Sequence, residues 1–438
     1  MINKSLIFAG KTISQVSKSL NRGNGSTWPG HIALKGNKNF IKEILSKSST
    51  KIIIVAGTNG KTTTSALIKT GLEKNGKTVL QNASGANLLN GIASALLLHT
   101  NASGKLTQDY AIFEIDENVL PLALDQITPD YLILLNLFRD QLDRYGEINT
   151  IVKKWQNAIG KLSEKTTLIL NADDPQIAAI PVFLTIAKQR VYYFGLQSEK
   201  TTEEYSHEAA DSMYCPKCGS KLIFETRTFS HLGKWKCNSC GLHRPELTLQ
   251  HLDTYPLIGT YNKYNSLAAT LVLTKSGLTN TQIVTAFQHF KPAFGRQEII
   301  SYRGKNVQLF LSKNPTSFNQ SFATIKELKA KVILFVLNDR IPDGHDISWI
   351  WDTDLSGLEN LKQIIISGDR TYDMSIRVKY EQQQKWEREN SRWKIEPDLV
   401  KAINFAIQQT EKDETLYILP NYSAMLEVRK ILIGKKIL

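Results

Sequence analysis

The stretch Lys51–Ser65, KIIIVAGTNGKTTTS, decides how this chain is read. Its first half carries the β-branched run Ile52-Ile53-Ile54-Val55, the composition of a buried parallel strand. Gly57, Asn59 and Gly60 then permit a tight turn, and Lys61-Thr62 open a helix. Strand, glycine turn and helix start together make a phosphate cradle. Backbone N–H groups and the positive end of the helix face an anion, Lys61 reaches the outer phosphates, and the Thr62 hydroxyl is placed for a magnesium ion. A strict P-loop carries glycine six residues before the lysine, where Val55 stands, so GTNGKT is a variant of that pattern. The competing reading is a plain strand–turn–helix junction with a solvated lysine. The apolar strand before the turn and the Thr-rich helix start after it favour the phosphate.

Around this stretch lie 438 residues, enough for two or three domains with separate cores. A hydrophobic content of 42% and a charged content of 22% are ordinary for a globular chain, but the net charge of +13 is not. It favours anionic partners: nucleotide, pyrophosphate, nucleic acid or an acidic membrane surface. No apolar run approaches the roughly 18 residues of a membrane span, which argues against an integral membrane protein. Lys4 and the short patch Leu6-Ile7-Phe8-Ala9 are too brief for a signal-peptide core, so a cytoplasmic location is expected.

Residues 1–48 read as an amphipathic helix, with Leu6, Ile7, Ile13, Val16 and Leu20 near helical spacing, followed by turns at Arg22–Ser26 and at Trp28-Pro29-Gly30-His31. From Lys51 onward strands alternate with helices. Candidate strands are Thr78–Gln81, Tyr110–Phe113, Tyr131–Leu135, Thr167–Leu170 and Val191–Phe194, the rhythm of a doubly wound sheet. Ligands of such sheets sit at the carboxyl ends of the strands, so the polar residues just beyond them are the site candidates. Glu114-Ile115-Asp116-Glu117 follows one strand, where a carboxylate can hold magnesium against ATP phosphates; the bland alternative is a solvated acidic turn.

Cys215-Pro-Lys-Cys218 and Cys237-Asn-Ser-Cys240 are two CxxC knuckles separated by 18 residues, a spacing that fits a zinc ribbon. Four thiolates make a closed structural site with no position left open for catalysis. Two disulfides are the alternative, disfavoured without a secretory signal. The basic neighbours Lys217, Lys221, Arg227, Lys234, Lys236 and Arg244 keep nucleic acid open as a partner, although a stapled surface insertion or docking module is the favoured reading of the ribbon. These are the only cysteines in the chain, so with zinc bound no thiol nucleophile remains.

GTNGKTTT is also the nucleotide-binding signature of the Mur ligase family, which includes the folylpolyglutamate synthases, and the chain resembles it at further points. Asn136-Leu-Phe-Arg-Asp-Gln-Leu-Asp-Arg-Tyr145 is similar to the family's N-x-x-x-DHLDRY element, departing at Gln141, where the family has a metal-associated histidine. Asn171-Ala-Asp-Asp-Pro175 resembles its NxDDP turn. Gly259-Thr-Tyr-Asn262-Lys-Tyr-Asn265 resembles its G-x-x-N-x-x-N helix start, although Asn262 reads equally well as a simple N-cap. Phe294-Gly295-Arg296-Gln297 resembles its GR hinge, whose arginine reaches ATP phosphates. The resemblance implies nucleotide contacts from Gly57, Thr58, Asn59, Gly60, Lys61, Thr62, Thr63, Asn262, Asn265 and Arg296, with Lys61 and Glu114 acting in catalysis and Thr62 and Glu114 on magnesium.

The last third reads as a second αβ unit, with strands near Val307–Leu311, Val332–Leu337, Ile364–Ile366 and Leu416–Leu419. Its motifs differ from those of the amino-acid-adding Mur ligases. Lys313-Asn314-Pro315 stands in place of an HTP-type loop. Asn338-Asp-Arg-Ile-Pro-Asp343-Gly-His-Asp346-Ile-Ser-Trp-Ile-Trp-Asp352, with Asp354 beyond it, holds more acids than a helix cap needs. With the ribbon and Leu419-Pro-Asn-Tyr422, these motifs resemble the MurT-type ligases, the synthase subunits of lipid II isoglutaminyl synthase complexes. That resemblance implies a division into an N-terminal helix and loop (1–48), a Mur ligase-type P-loop ATPase domain (49–296) with a four-cysteine zinc ribbon (Cys215, Cys218, Cys237, Cys240) inserted at about 205–247, and a Rossmann-like α/β C-terminal domain (297–438). It also implies ATP, magnesium and zinc, a GatD-like glutaminase partner whose catalytic triad is completed by Asp346, lipid II at the membrane surface as acceptor, and no nucleic acid. Two other readings compete: a stand-alone amino-acid ligase, and a nucleic-acid-binding ATPase that reads through its ribbon.

Overall fold

Six β-branched or aromatic runs become six parallel strands: β1 (Lys51–Ala56), β2 (Val79–Gln81), β3 (Tyr110–Ile115), β4 (Tyr131–Leu134), β5 (Thr167–Asn171) and β6 (Val191–Phe194). The computed structural model describes residues 2–19, 27–83, 85–101, 103–139, 148–184, 190–197, 211–382 and 392–434. The sheet order is β2-β3-β1-β4-β5-β6. The side-chain period of two explains why β1 is apolar throughout. Ile52, Ile54 and Ala56 enter one core with the helices Trp28–Gly36, Phe40–Ser46, Leu89–His99 and Ile148–Ile159, while Ile53 and Val55 enter a second with the helices Lys61–Lys74 and Thr260–Lys275. Both faces are therefore covered, as a doubly wound sheet requires. β1 lies between β3 and β4, so the chain departs from it to both sides, and the crevice at the end of β1 falls where a ligand is expected.

The N-terminal expectation needs correction. Trp28-Pro29-Gly30-His31 is the start of the helix Trp28–Gly36, with proline in its first turn, where its missing N–H costs nothing. Gly30 N donates to Ser94 Oγ at 2.7 Å, so this helix packs against Leu89–His99.

Between β6 and the helix Thr260–Lys275 the chain leaves the sheet and forms an antiparallel ribbon, β7 (Ile223–Phe229) and β8 (Leu232–Lys236). The returning segment comes back alongside β6 through a Phe194–Leu249 bridge. A second sheet follows, made of β9 (Arg296–Tyr302), β10 (Lys305–Phe310), β11 (Val332–Val336), β12 (Gln363–Ser367), β13 (Trp393–Ile395) and β14 (Thr415–Pro420). Its order is β13-β12-β11-β14-β10-β9, parallel except for β9, which runs antiparallel to β10. β9 and β13 escape a reading for apolar runs. β9 is an edge strand with Ile299 turned to solvent, and β13 has three residues with none fully buried. Among the described residues no helix is long and apolar enough to cross a membrane.

Candidate functional site

The turn after β1 is held open by its glycines and tied to the loop after β4. Gly57 (φ +141°) and Gly60 (φ +91°) adopt backbone conformations that favour glycine, and Gly60 caps the helix Lys61–Lys74. Thr58 N donates to Asn136 O at 2.9 Å, Asn59 N to Asn136 Oδ1 at 2.8 Å, and Asn136 Nδ2 to Asn59 O at 3.1 Å. Phe138 N donates to Thr58 Oγ1 at 3.0 Å. These bonds brace the loop and leave the helix N-terminus facing the cleft.

Lys61, Thr62 and Glu114 meet as their order predicts. The Lys61 ammonium donates to Gly57 O and, at 3.1 Å, to Thr58 O, and lies 3.5 Å from Glu117 Oε2. Thr62 Oγ1 donates to Glu114 Oε2 at 2.7 Å, and Gln81 Nε2 to Glu114 Oε1 at 3.0 Å. Glu114 lies within β3 rather than beyond it, and Asn82 Oδ1 accepts its N–H. Burial pushes the Glu114 carboxyl up; the Thr62 hydroxyl and the charges of Arg296 and Lys61 pull it back. Asp116 is also raised, by burial and then by Glu117. The donor set of a hydroxyl beside a buried carboxylate suits a hard cation. Asn59 Nδ2 is buried without a partner, an orphan donor inside the cradle.

Across the cleft stand residues of later elements. The N-cap reading of Asn262 is overturned: the helix begins at Thr260 with Gly259 as its cap, and Asn262 sits in its first turn. There Asn262 Nδ2 donates to Ile258 O at 2.8 Å, and Asn262 Oδ1 accepts from Asn265 Nδ2 at 3.2 Å. Asn265 Oδ1 faces Gly60 and Thr64. Arg296, at the start of β9, is held below the usual guanidinium range by burial, against which the Glu114 charge works. From the second sheet, Asn314 caps the helix Pro315–Glu327 and donates through Nδ2 to Asn59 Oδ1 at 3.3 Å. Together these elements form a cleft lined by Asn59, Gly60, Thr63, Asn262, Asn265, Arg296 and Lys313. Its apolar lining includes Phe138, Phe229, Leu232 and Phe310.

Several participants carry little signal in the sequence. Glu117 reads there only as one acid in a run. Asn136 and Asn314 read as motif letters, and their contacts with the cradle depend on tertiary packing. Gln141 lies outside the described residues. Asp346 is exposed and does not line the cleft; its Oδ1 accepts from Ser348 N at 2.8 Å, which holds its carboxyl below the usual range. The surplus of acids in its loop is largely absorbed by local bonds. Asp339 pairs with Arg370 at 3.0 Å, Asp343 accepts from Ser423 N at 3.0 Å, and Asp354 Oδ1 accepts from Ser356 N.

The four cysteine sulfurs lie within 4.8 Å of one another, with Cys215–Cys240 at 3.6 Å and Cys218–Cys237 at 3.4 Å. None is in a disulfide. Four sulfurs converging on one point fit a tetrahedral metal ion.

Residues 55–273 match the family model for the Mur ligase middle domain, and residues 311–425 that for the MurT ligase C-terminal region. A curated relative from Streptococcus pneumoniae, the MurT subunit of lipid II isoglutaminyl synthase (glutamine-hydrolysing), is 33% identical over 95% of this chain and 94% of its own. Its counterpart from Staphylococcus aureus is 32% identical over 85% of this chain and 86% of its own. The chain belongs to the MurT family. Two solved structures share the Mur ligase-like fold. A pseudomurein peptide ligase type C from Methanothermus fervidus covers 88% of this chain and 79% of its own at TM-score 0.62 and 20% identity. MurF from Acinetobacter baumannii covers 94% and 79% at TM-score 0.60 and 18% identity. MurT membership accounts for the pairing of a Mur-type cradle with a C-terminal sheet whose loops lack the motifs of the amino-acid-adding ligases.

Proposed function

We propose that this chain is the ATP-dependent synthase subunit of a lipid II isoglutaminyl synthase, amidating the α-carboxylate of D-glutamate in the lipid II stem peptide to D-isoglutamine. The observation that carries this reading is the gathering of the Thr62–Glu114 pair with Lys61 and Arg296, whose charges act on Glu114, at a cradle that a MurT-type C-terminal unit meets through Asn314. The division into 1–48, a central ATPase domain at 49–296 with its ribbon insertion, and a Rossmann-like C-terminal domain at 297–438 belongs to the same proposal. So do the assignments of Gly57–Thr63, Asn262, Asn265 and Arg296 to the nucleotide.

In this reading Lys61 leaves its own loop carbonyls for the outer phosphates, and Arg296 neutralises charge from the opposite wall. Thr62 and Glu114 would hold a magnesium ion, which supplies charge neutralisation at the phosphates. A carboxylate oxygen of the acceptor forms a bond to the γ-phosphorus as the bond to the ADP oxygen breaks, giving an acyl phosphate. Ammonia then adds at the acyl carbon, phosphate departs with the C–O bond pair, and a proton is lost. Positioning and charge account for most of the acceleration, with no covalent help from the chain.

The four cysteines would hold zinc as a structural ion. That leaves no thiol for hydrolysing glutamine, in keeping with a separate GatD-like glutaminase as the ammonia source. Asp346, exposed and ionised, is available to orient that partner's imidazolium across the interface. The charge of +13 suits a pyrophosphate-bearing lipid at the inner face of an anionic membrane.

The test is reconstitution with a candidate glutaminase, ATP, glutamine and lipid II, reading the OH-to-NH2 mass change. Lys61→Ala should abolish the product. Amidation retained by this variant would sink the assignment of the cradle.

A further inference from the structure

The ribbon does not stop at the surface. Its hairpin turn, Ser230-His231, drives into the central domain: His231 and Leu232 are fully buried and Phe229 nearly so. Phe229 stacks on Phe138 at 6.0 Å between ring centroids and meets Tyr264 edge-on at 5.8 Å. Phe138 follows the Asn136 that braces the cradle, and Tyr264 precedes Asn265 on the helix facing it. The His231 ring lies 4.8 Å from Phe138, and its Nε2 is 3.4 Å from Asp174 Oδ2, which accepts Leu137 N at 2.9 Å. Behind the tip the ribbon is fastened to the turn after β5. Gly233 N donates to Asp173 O at 3.2 Å, Trp235 Nε1 to Ala172 O at 3.0 Å, and the Arg244 guanidinium pairs with Asp173 at 2.6 Å.

Phe229 and Leu232 line the same cleft as Asn59, Gly60 and Thr63. If the phosphates occupy the cradle, the aromatic part of the cleft lining is where the planar, apolar-faced part of a nucleotide finds surface to stack on. We propose that the hairpin of the inserted ribbon is a wall of the nucleotide pocket, with Phe229, backed by the buried Leu232, contacting the base. The ribbon is then part of the ligand site as well as a brace. This rests on the nucleotide reading of the cleft.

Two experiments on the full chain test it. Photolabelling with 2-azido-ATP, followed by tryptic mapping, should place label in the peptide Thr228–Lys234 and be suppressed by excess ATP. Label found only in other peptides would overturn the proposal. Calorimetry with ATP and with inorganic tripolyphosphate gives the second readout. Phe229→Ala should weaken ATP about tenfold while leaving tripolyphosphate within about twofold, since only ATP has a base to stack. Phe229→Leu, closer in volume, should show a smaller loss of the same kind and covers the case in which the alanine variant does not fold. Lys61→Ala should weaken both ligands. Unchanged ATP affinity in the Phe229 variants with a loss in Lys61→Ala would remove the wall and keep the cradle; unchanged affinity in Lys61→Ala would remove the cradle itself.

Discussion

At Gly60 a single added methyl group would run into Asn265 Oδ1 from a backbone conformation (φ +91°) that side chains rarely adopt. Gly60→Ala is expected to cost about 1 kcal/mol of stability from the backbone alone. It should also reduce ATP affinity at least about tenfold by pushing the cradle off Asn265, as calorimetry beside a thermal melt would show. Asp173 gives a pH prediction. Burial, opposed by Arg244, Tyr264 and Leu196 N, pushes its carboxyl up from 3.8 to about 6. A carboxyl raised on folding stabilises fully below its unfolded value and loses that contribution as pH rises through 6. The stability gap between the native chain and Asp173→Asn should therefore change by on the order of 2 kcal/mol between about pH 4 and 6, read from urea midpoints, and be flat above about pH 7. Lys61 and Thr62 are legible in the sequence because strand, turn and helix place them locally, and Glu114 because its strand pairs with β1 and sets it level with Val55. Glu117 and Asn314 are not, because their place beside the cradle comes from how loops and sheets pack.

The elements divide in the same way. β1, β3, β4 and β5 are buried on both faces, so their apolar runs announce them within a residue or two. β9 is an exposed-edge strand of mixed polarity and β13 is a short one, and neither leaves a run to read. The ribbon is visible through cysteine spacing alone, but the depth to which its turn penetrates has no local signal. His231 reads as an unremarkable hairpin residue until Asp174 and Phe138 are set around it. One zinc per chain is expected by elemental analysis, with all four thiols protected from alkylation until a chelator is added. Cys237→Ser should lose the metal and lower the melting temperature by several degrees, because Cys237 and Cys215 are buried beside Trp235 and Phe224.

Over the whole molecule the cleft is a joint between two sheets, pinned by Asn314 on Asn59 and by Gln297 Nε2, which donates to Ile258 O at 2.8 Å and to Tyr261 Oη at 3.0 Å. Asp346 stands away from it, on the surface of the second unit. Asp346→Asn should leave ATP binding unchanged and lower glutamine hydrolysis by the reconstituted pair at least about 100-fold, measured as released ammonia, since an amide there cannot stabilise an imidazolium. Unaltered hydrolysis would remove the cross-subunit triad. Chain order adds a kinetic consequence to the insertion between β6 and the helix Thr260–Lys275. All six strands of the first sheet leave the ribosome before Leu267, Ala268, Leu271 and Val272, which cover Ile53, Val55, Ile112, Ile133 and Ile169 on one face. The nascent sheet thus waits, half-clothed and prone to aggregate, while the whole ribbon is synthesised. Phe229 and Leu232 of the ribbon tip belong to the same cover, so if the four cysteines hold the proposed zinc, its scarcity during synthesis would appear first as lost yield of the chain rather than as a slower enzyme.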